Sequence, residues 1–202
     1  MPDELLDVYD EQGRHLGVKP RAAVHRDGDW HRAFHLWVVS AEGVLLQRRA
    51  PTKAAWPGRL DATAAGHLVA GEDVGDGLRE AEEELGIAYA LAALVPLGAH
   101  RVDDAIGGGG RNREVQHVFA VRDDRSLDAY TQLDAAEVSG LVLVGHDAFA
   151  ALVSDRAARV PATGWDGRST AAVRIAAAEL VPSPYLPAIA AALLRAATAP
   201  PP

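Results

Sequence analysis

The segment Arg79-Glu80-Ala81-Glu82-Glu83-Glu84-Leu85-Gly86-Ile87 sets four carboxylates within five positions. Read as a helix at about 100° per residue, Glu80, Glu83 and Glu84 share one side at spacings i, i+3 and i+4. Leu78, Ala81 and Leu85 lie nearly opposite, where they can face a core. Like charges at those spacings repel by about 0.2–0.5 kcal/mol per pair, so the crowding is unfavourable unless something offsets it. A divalent cation does so, because hard ions such as Mg2+ take carboxylate oxygens and turn crowded glutamates into ligands. Gly86 supplies the residue that ends such a helix. The alternative is a solvated acidic face with ordinary salt bridges.

Extended back to Gly66, the stretch GHLVAGEDVGDGLREAEEELGI resembles the Nudix box. Gly66 and Glu72 match its first half; Arg79, Glu80, Glu83, Glu84, Gly86 and Ile87 match its second, with Ala81 as a small aliphatic. The spacing departs at one point: Asp73 to Leu78 is one residue shorter than the pattern, and it carries Gly75 and Gly77 where helix formers are more usual. The resemblance implies an α/β fold, a Nudix-type α/β/α sandwich with a mixed β-sheet and a loop-helix-loop catalytic motif. It implies a hydrolase of diphosphate linkages in which Glu80, Glu83 and Glu84, with the carbonyl of Gly66, hold Mg2+ (or Mn2+). One of these glutamates also accepts a proton from the attacking water, with Glu80 the first candidate and Glu83 the second. Arg79 is expected to pair with a nearby box carboxylate rather than act on substrate. Such chemistry is electrostatic in essence, since water must attack phosphorus amid negative oxygens.

A second likeness is narrower. Leu45 to Gly58, LLQRRAPTKAAWPG, with Gly66-His67 beyond and His31-Arg32-Ala33-Phe34 upstream, resembles the type I isopentenyl-diphosphate isomerases, a branch of the same fold. It implies that Arg49 and Lys53 bind a substrate diphosphate, and a guanidinium fork beside a flexible ammonium suits phosphate oxygens on chemical grounds too. That branch uses a cysteine immediately before the Gly-His pair. Here Ala65 stands there, and the chain has no cysteine. A methyl group cannot exchange the proton that allylic isomerisation needs, so hydrolysis is the expected chemistry. The isomerases also use several histidines around a metal. His31 and His67 match by local motif, His25 lies near, and Glu114 matches a metal-binding glutamate, while Gln116 replaces the second acidic position. Glu114 is expected to add a metal or base carboxylate from beyond the box. A non-catalytic module that binds a diphosphate metabolite is the remaining alternative, favoured by the shortened loop.

The elements that must position these groups can be read along the chain. Residues 5–18 read as a hairpin around Glu11-Gln12-Gly13. Pro20 to His25 suits a short helix. Phe34 to Val39 and Val44 to Arg48 form a strand pair, Ala50 to Arg59 is loop, and Asp61 to Ala65 leads as a strand into the box at 66–87. Ala88 to Gly98 and Glu114 to Arg122 read as strands separated by a glycine-rich connection, Asp103 to Asn112, which is either a lid or a slack link. Leu141 to Val144 is a strand, Asp147 to Val153 a helix, and Thr163 to Arg168 loop. Two C-terminal helices are expected within 171–196, followed by a frayed tail at 198–202. Together these make one Nudix domain over residues 1–197.

Composition narrows the partners. A net charge of −8 argues against nucleic acid and against an anionic membrane surface, although a diphosphate can still bind where cations are local. Without cysteine there is neither a disulfide framework nor a thiolate zinc site. No signal peptide or membrane span is apparent, so a cytoplasmic protein is expected. The expected partner is a small-molecule diphosphate, and the resemblance leaves a homodimer possible. Trp30, Trp56 and Trp165 are expected to pack in the core, with Trp56 the best placed of them to stack on a flat substrate group.

Overall fold

The strand Trp30–Val39 (β3) is the axis of the sheet, and its sequence, WHRAFHLWVV, explains why. It is apolar on both faces through its second half, as a strand covered from both sides must be. In the computed structural model, which describes residues 4–106 and 109–198, β3 runs parallel to Arg111–Arg122 (β8), with His31 opposite Glu114 and Val39 opposite Arg122. Ala64–His67 (β6) lies antiparallel along its first half, with Phe34 opposite Gly66. Val44–Arg49 (β4) pairs antiparallel with its end. The N-terminal hairpin is as expected, with Leu5–Tyr9 (β1) paired to His15–Pro20 (β2). The short helix Arg21–Asp27 (α1) follows it.

The remaining strands are Leu60–Asp61 (β5), Val95–Ala105 (β7), Val138–Val144 (β9), Arg159–Trp165 (β10) and Thr170–Ala176 (β11). The main path of the mixed sheet is β11-β10-β9-β4-β3-β1-β2, with β5 on β4, β6 and β8 on β3, and β7 on β8. Helices cover both faces. On one side Leu152 of His146–Val153 (α3) and Leu186, Ile189 and Leu193 of Leu186–Thr198 (α4) pack with Trp37, Val39 and Leu46. On the other, Ala81 and Leu85 of Arg79–Leu85 (α2) pack with Phe34, Leu36, Val38 and Leu45. The α/β/α sandwich is therefore the observed architecture. Among the described residues no helix is long and apolar enough to cross a membrane.

Three local expectations are corrected. The alanine-rich run from 171 favours helix by propensity, yet Thr170–Ala176 is a strand paired along its whole length with β10, burying Ile175. Only α4 remains of the two C-terminal helices, since Ala177–Glu179 is a single 3-10 turn. A seven-residue hydrogen-bonded ladder that buries Ile175 outweighs a few tenths of a kcal/mol per alanine, and it also makes strand of Thr163 to Trp165. The strand expected at Ala88 begins at Val95, after a 3-10 turn at Leu91–Ala93. Asp103 to Ala105 and Arg111 to Asn112 are strand rather than connection, which shortens the glycine-rich link. Its Gly107 and Gly108 lie outside the described residues, as does the tail from 199 to 202.

Candidate functional site

Strand β6 delivers the chain to Gly66 and His67, a turn follows, and a 3-10 turn at Asp76–Leu78 runs directly into α2. The glycine that seemed out of place has a steric reason: a Cβ at Gly77 would stand 2.5 Å from Phe34. The shortened loop is thus closed by a tight turn lying on β3. Gly86 ends α2 at φ 69°, donating its N–H to the Glu82 carbonyl at 3.0 Å. Glu72 receives the Val69 N–H at 2.8 Å and faces Arg79.

Arg79 organises the acidic groups. It donates from Nε to Glu72 (2.7 Å), from Nη1 to Glu80 (2.6 Å) and Glu83 (3.2 Å), and from Nη2 to the His67 carbonyl (2.9 Å). Its hydrogen bond to Glu72 is the main reason its own pKa is raised. The expected pairing of Arg79 with box carboxylates is what the fold contains.

Glu80 and Glu84 are buried, whereas the Glu83 side chain is 60% exposed. Glu80 lies against Gly66 so closely that a Cβ there would stand 2.1 Å from its carboxylate. Glu84 accepts the Ala65 N–H and the Gln47 side-chain amide, both at 3.1 Å. Burial pushes the Glu80 carboxyl up to about 7, with Glu83 adding and Arg79 opposing. Burial likewise pushes Glu84 up to about 8, and the negative charges of Glu80, Glu137 and Asp61 add to it. Two carboxylates held out of water with too little positive charge nearby form a place that gains from a cation.

The end of β4 and the loop after it carry the two cations. Arg49 donates to Asp61 at 3.2 Å and to the Ala55 carbonyl, and Lys53 pairs closely with Glu137. Asp61 is held by β5, opposite Gln47 of β4. Glu137 sits just before β9. Trp56 of this loop is partly exposed under Arg59, while Trp30 and Trp165 are core residues.

A second cluster lies at the start of β3. His25 of α1, His31 of β3, His67 of β6 and Glu114 of β8 place one potential ligand atom each within 4.8 Å of one another. Strand register contributes directly: His31 is opposite Glu114 on β8, and His67 on β6 is opposite Ala33. His67 Nε2 lies 3.2 Å from Glu114, and Glu4 approaches the other ring nitrogen at 3.8 Å. Burial, with His67 and His31 adding, pushes His25 down to about 4. Burial alone would raise Glu114, but the rings of His31, 3.7 Å away, and His67, 3.2 Å away, outweigh it and hold it well below the usual carboxylate range. His31 Nε2 is buried without a hydrogen-bond partner. An orphaned ring nitrogen, two further imidazoles and a carboxylate form a donor set that fits a divalent metal. Glu114 thus stands with the histidines rather than with α2, while Glu4 and Arg79 bridge the two groups.

The NUDIX domain family matches residues 29–163. An uncharacterised Nudix hydrolase of Clostridium acetobutylicum is 37% identical over 169 residues, covering 82% of this chain and 81% of that protein. This chain belongs to the Nudix hydrolase family. Nudix hydrolase 3 of Arabidopsis thaliana is 36% identical over 74% of the chain, which spans only 20% of that longer protein. The isomerase branch is present as well: the isopentenyl-diphosphate Δ-isomerase of Nocardia farcinica is 39% identical over 70% of this chain and 77% of its own. The crystal structure of DR0079 from Deinococcus radiodurans has the same fold, with a TM-score of 0.58 and 21% identity over 75% of this chain and 90% of that one.

Within this Nudix domain the fold gathers Gly66, Glu80 and Glu84 closely and sets Glu83 at the exposed rim, while Asp61 and Glu137, the carboxylates paired with Arg49 and Lys53, add negative charge felt at Glu84. Gln47, Asp61, Glu137 and Glu4 are the site groups that sequence reasoning did not find. Their signal was weak, because each reaches the site through strand register or a loop crossing rather than through a spacing near the box.

Proposed function

We propose that this Nudix hydrolase cleaves the diphosphate linkage of a small nucleoside-diphosphate-type or other diphosphate metabolite with the help of Mg2+ or Mn2+. The observation that carries the reading is the buried pair Glu80 and Glu84 beside Gly66, with carboxyls pushed up to about 7 and 8. Glu80, Glu84, Glu83 and the Gly66 carbonyl would hold the box cation, and Glu114 with His25, His31 and His67 a second one. Bound cations supply Lewis acidity and charge neutralisation to the phosphoryl oxygens. The chain's own groups do the rest. Arg49 and Lys53 bind and orient the diphosphate, Arg79 fixes the rotamers of Glu80 and Glu83, and a box glutamate takes the proton from the attacking water, Glu80 first.

Isomerisation is the disfavoured second reading. The methyl of Ala65 stands where that chemistry needs a thiol, and Gln116, donating to Glu114 at 2.6 Å, is an amide where it needs an acid. The test is a panel of diphosphate compounds assayed for phosphate and phosphate-ester release with Mg2+, with Mn2+ and with EDTA. Metal-dependent release from at least one compound is expected; tight binding without release across the panel would make this a sensing domain.

A further inference from the structure

An open sheet exposes unpaired backbone along its edges, and proteins guard such edges with proline, charge or irregularity. Two edges of this sheet are guarded in that way. Strand β2 ends at Pro20, carries Lys19, and lies beside a bulge between Val8 and Tyr9 of β1. Strand β7 holds Pro96, a register shift between Pro96 and Gly98, and the charges of Arg101, Asp103 and Asp104. Strand β11, TAAVRIA, ends the main path of the sheet and lacks both proline and bulge. All seven of its residues pair with β10 without a shift of register. Its one charged residue, Arg174, turns back onto β10, where Nη2 donates to the Arg159 carbonyl at 3.2 Å.

Two observations fix which backbone groups of β11 face outward. Pro161, opposite Arg174, has no N–H to give, so those two residues form a non-hydrogen-bonded pair. The Ala176 N–H goes to the Glu179 carboxylate at 3.0 Å rather than to Arg159 opposite it. Pairs alternate along an antiparallel ladder, so Thr170, Ala172 and Arg174 turn both N–H and C=O away from β10. Thr170, Ala171, Ala172 and Arg174 are exposed, and Val173 is half-buried. We propose that this edge pairs antiparallel with the same strand of a second copy of the chain, about a two-fold axis at Ala172. Ala172 then faces Ala172, and Thr170 of each copy faces Arg174 of the other, which engages every outward group of the three in about six hydrogen bonds. The register is self-complementary: no like charges meet, and Ala171 of each copy lies opposite Val173 of the other. Further along, the turn 166–169 of each copy, with its exposed Arg168, comes beside Ala176 to Glu179 of the other, so that Arg168 meets the charge of Glu179. Glu179 also lies 3.6 Å from Arg48, and Arg59 donates to the Leu180 carbonyl at 3.4 Å. The second copy therefore settles against the segment that braces the loop after β4. A contact one strand wide falls below the about 1,200 Å2 of standard interfaces, so the dimer is weak, with a Kd on the order of 10 µM.

Analytical ultracentrifugation of the full chain between about 5 and 300 µM reads the association. Wild type should pass from monomer to dimer across that range. Ala172→Pro removes only an outward N–H, a placement that edge strands accept, and should weaken association at least about tenfold. Arg168→Glu, on an exposed turn, should weaken it about three- to tenfold, because two contacts with Glu179 become repulsive. Circular dichroism checks that both variants stay folded. Amide exchange gives an independent reading in the wild type. The amides of Ala172 and Arg174 should be slow only where dimer forms, whereas those of Val173 and Ile175, bonded to β10, should be slow throughout. A wild type that stays monomeric at about 300 µM would overturn the proposal. Undiminished dimerisation in both variants, or fast Ala172 and Arg174 amides in the dimer, would equally overturn it, because the contact would then lie elsewhere on the molecule.

Discussion

Replacing Glu84 by Gln should make the metal-free protein more stable at alkaline pH, and the size of the gain follows from the burial of that carboxyl. Moving Glu84 from 4.5 up to about 8 corresponds, at ~1.36 kcal/mol per pH unit, to about 4–5 kcal/mol of discrimination against its charged form. Glu80 shares part of this, because each carboxylate's charge opposes the other's ionisation, so a single substitution should recover about 2–4 kcal/mol. The folded-state value lies above the unfolded one, so the native protein holds its proton longer. Stability without metal is therefore full below about pH 4.5 and falls as pH rises toward 8. Glutamine keeps both contacts, since its side-chain oxygen still accepts from Ala65 and Gln47, and it cannot charge. Urea unfolding in EDTA at pH 5.5 and 8.5 measures the effect. Wild type should lose several kcal/mol between the two, and E84Q distinctly less. Adding Mg2+ at pH 8.5 should restore wild type and leave E84Q nearly unchanged. A wild-type stability that is flat with pH in EDTA, or an E84Q protein less stable than wild type at pH 8.5, would refute the reasoning.

Other outcomes follow from the same geometry. Gly66→Ala should abolish cation binding at the box, because the new methyl would stand 2.1 Å from the Glu80 carboxylate; isothermal titration with Mn2+ reads this, and wild-type affinity would be contrary. Arg79→Met should lower turnover by orders of magnitude and destabilise the fold by about 3 kcal/mol, since Glu72, Glu80 and Glu83 lose their shared cation. His31→Ala should remove one bound Mn2+ per chain by metal analysis while leaving the box cation in place. Isopentenyl diphosphate should yield no dimethylallyl diphosphate, because Ala65 cannot exchange the proton; detection of that product would overturn the choice of hydrolysis.

The box was legible because its residues are near neighbours: four glutamates, an arginine and a terminal glycine at helical spacing state their own geometry. The apolar run of β3 and the hairpin 5–18 were legible for the same reason. What escaped was set by long-range pairing. Ala171 to Ala176 carries a helical composition, and only the ladder with β10 makes it a strand. The sequence offers Glu114 both to the box and to a site with His31 and His67, and only the register opposite His31 sets it among the histidines. Asp61 and Glu137 gave no sign in sequence of standing beside Glu84, because one arrives by pairing with Gln47 and the other by a loop that crosses the end of α2. Gly77 looked like a poor helix residue until Phe34 was seen beneath it.

The most direct test of the central claim is turnover of the best diphosphate substrate by wild type, E83Q and E84Q at saturating Mg2+, with folding checked by circular dichroism. The account predicts that both variants remain folded and lose activity by orders of magnitude. Wild-type rates in both would contradict it.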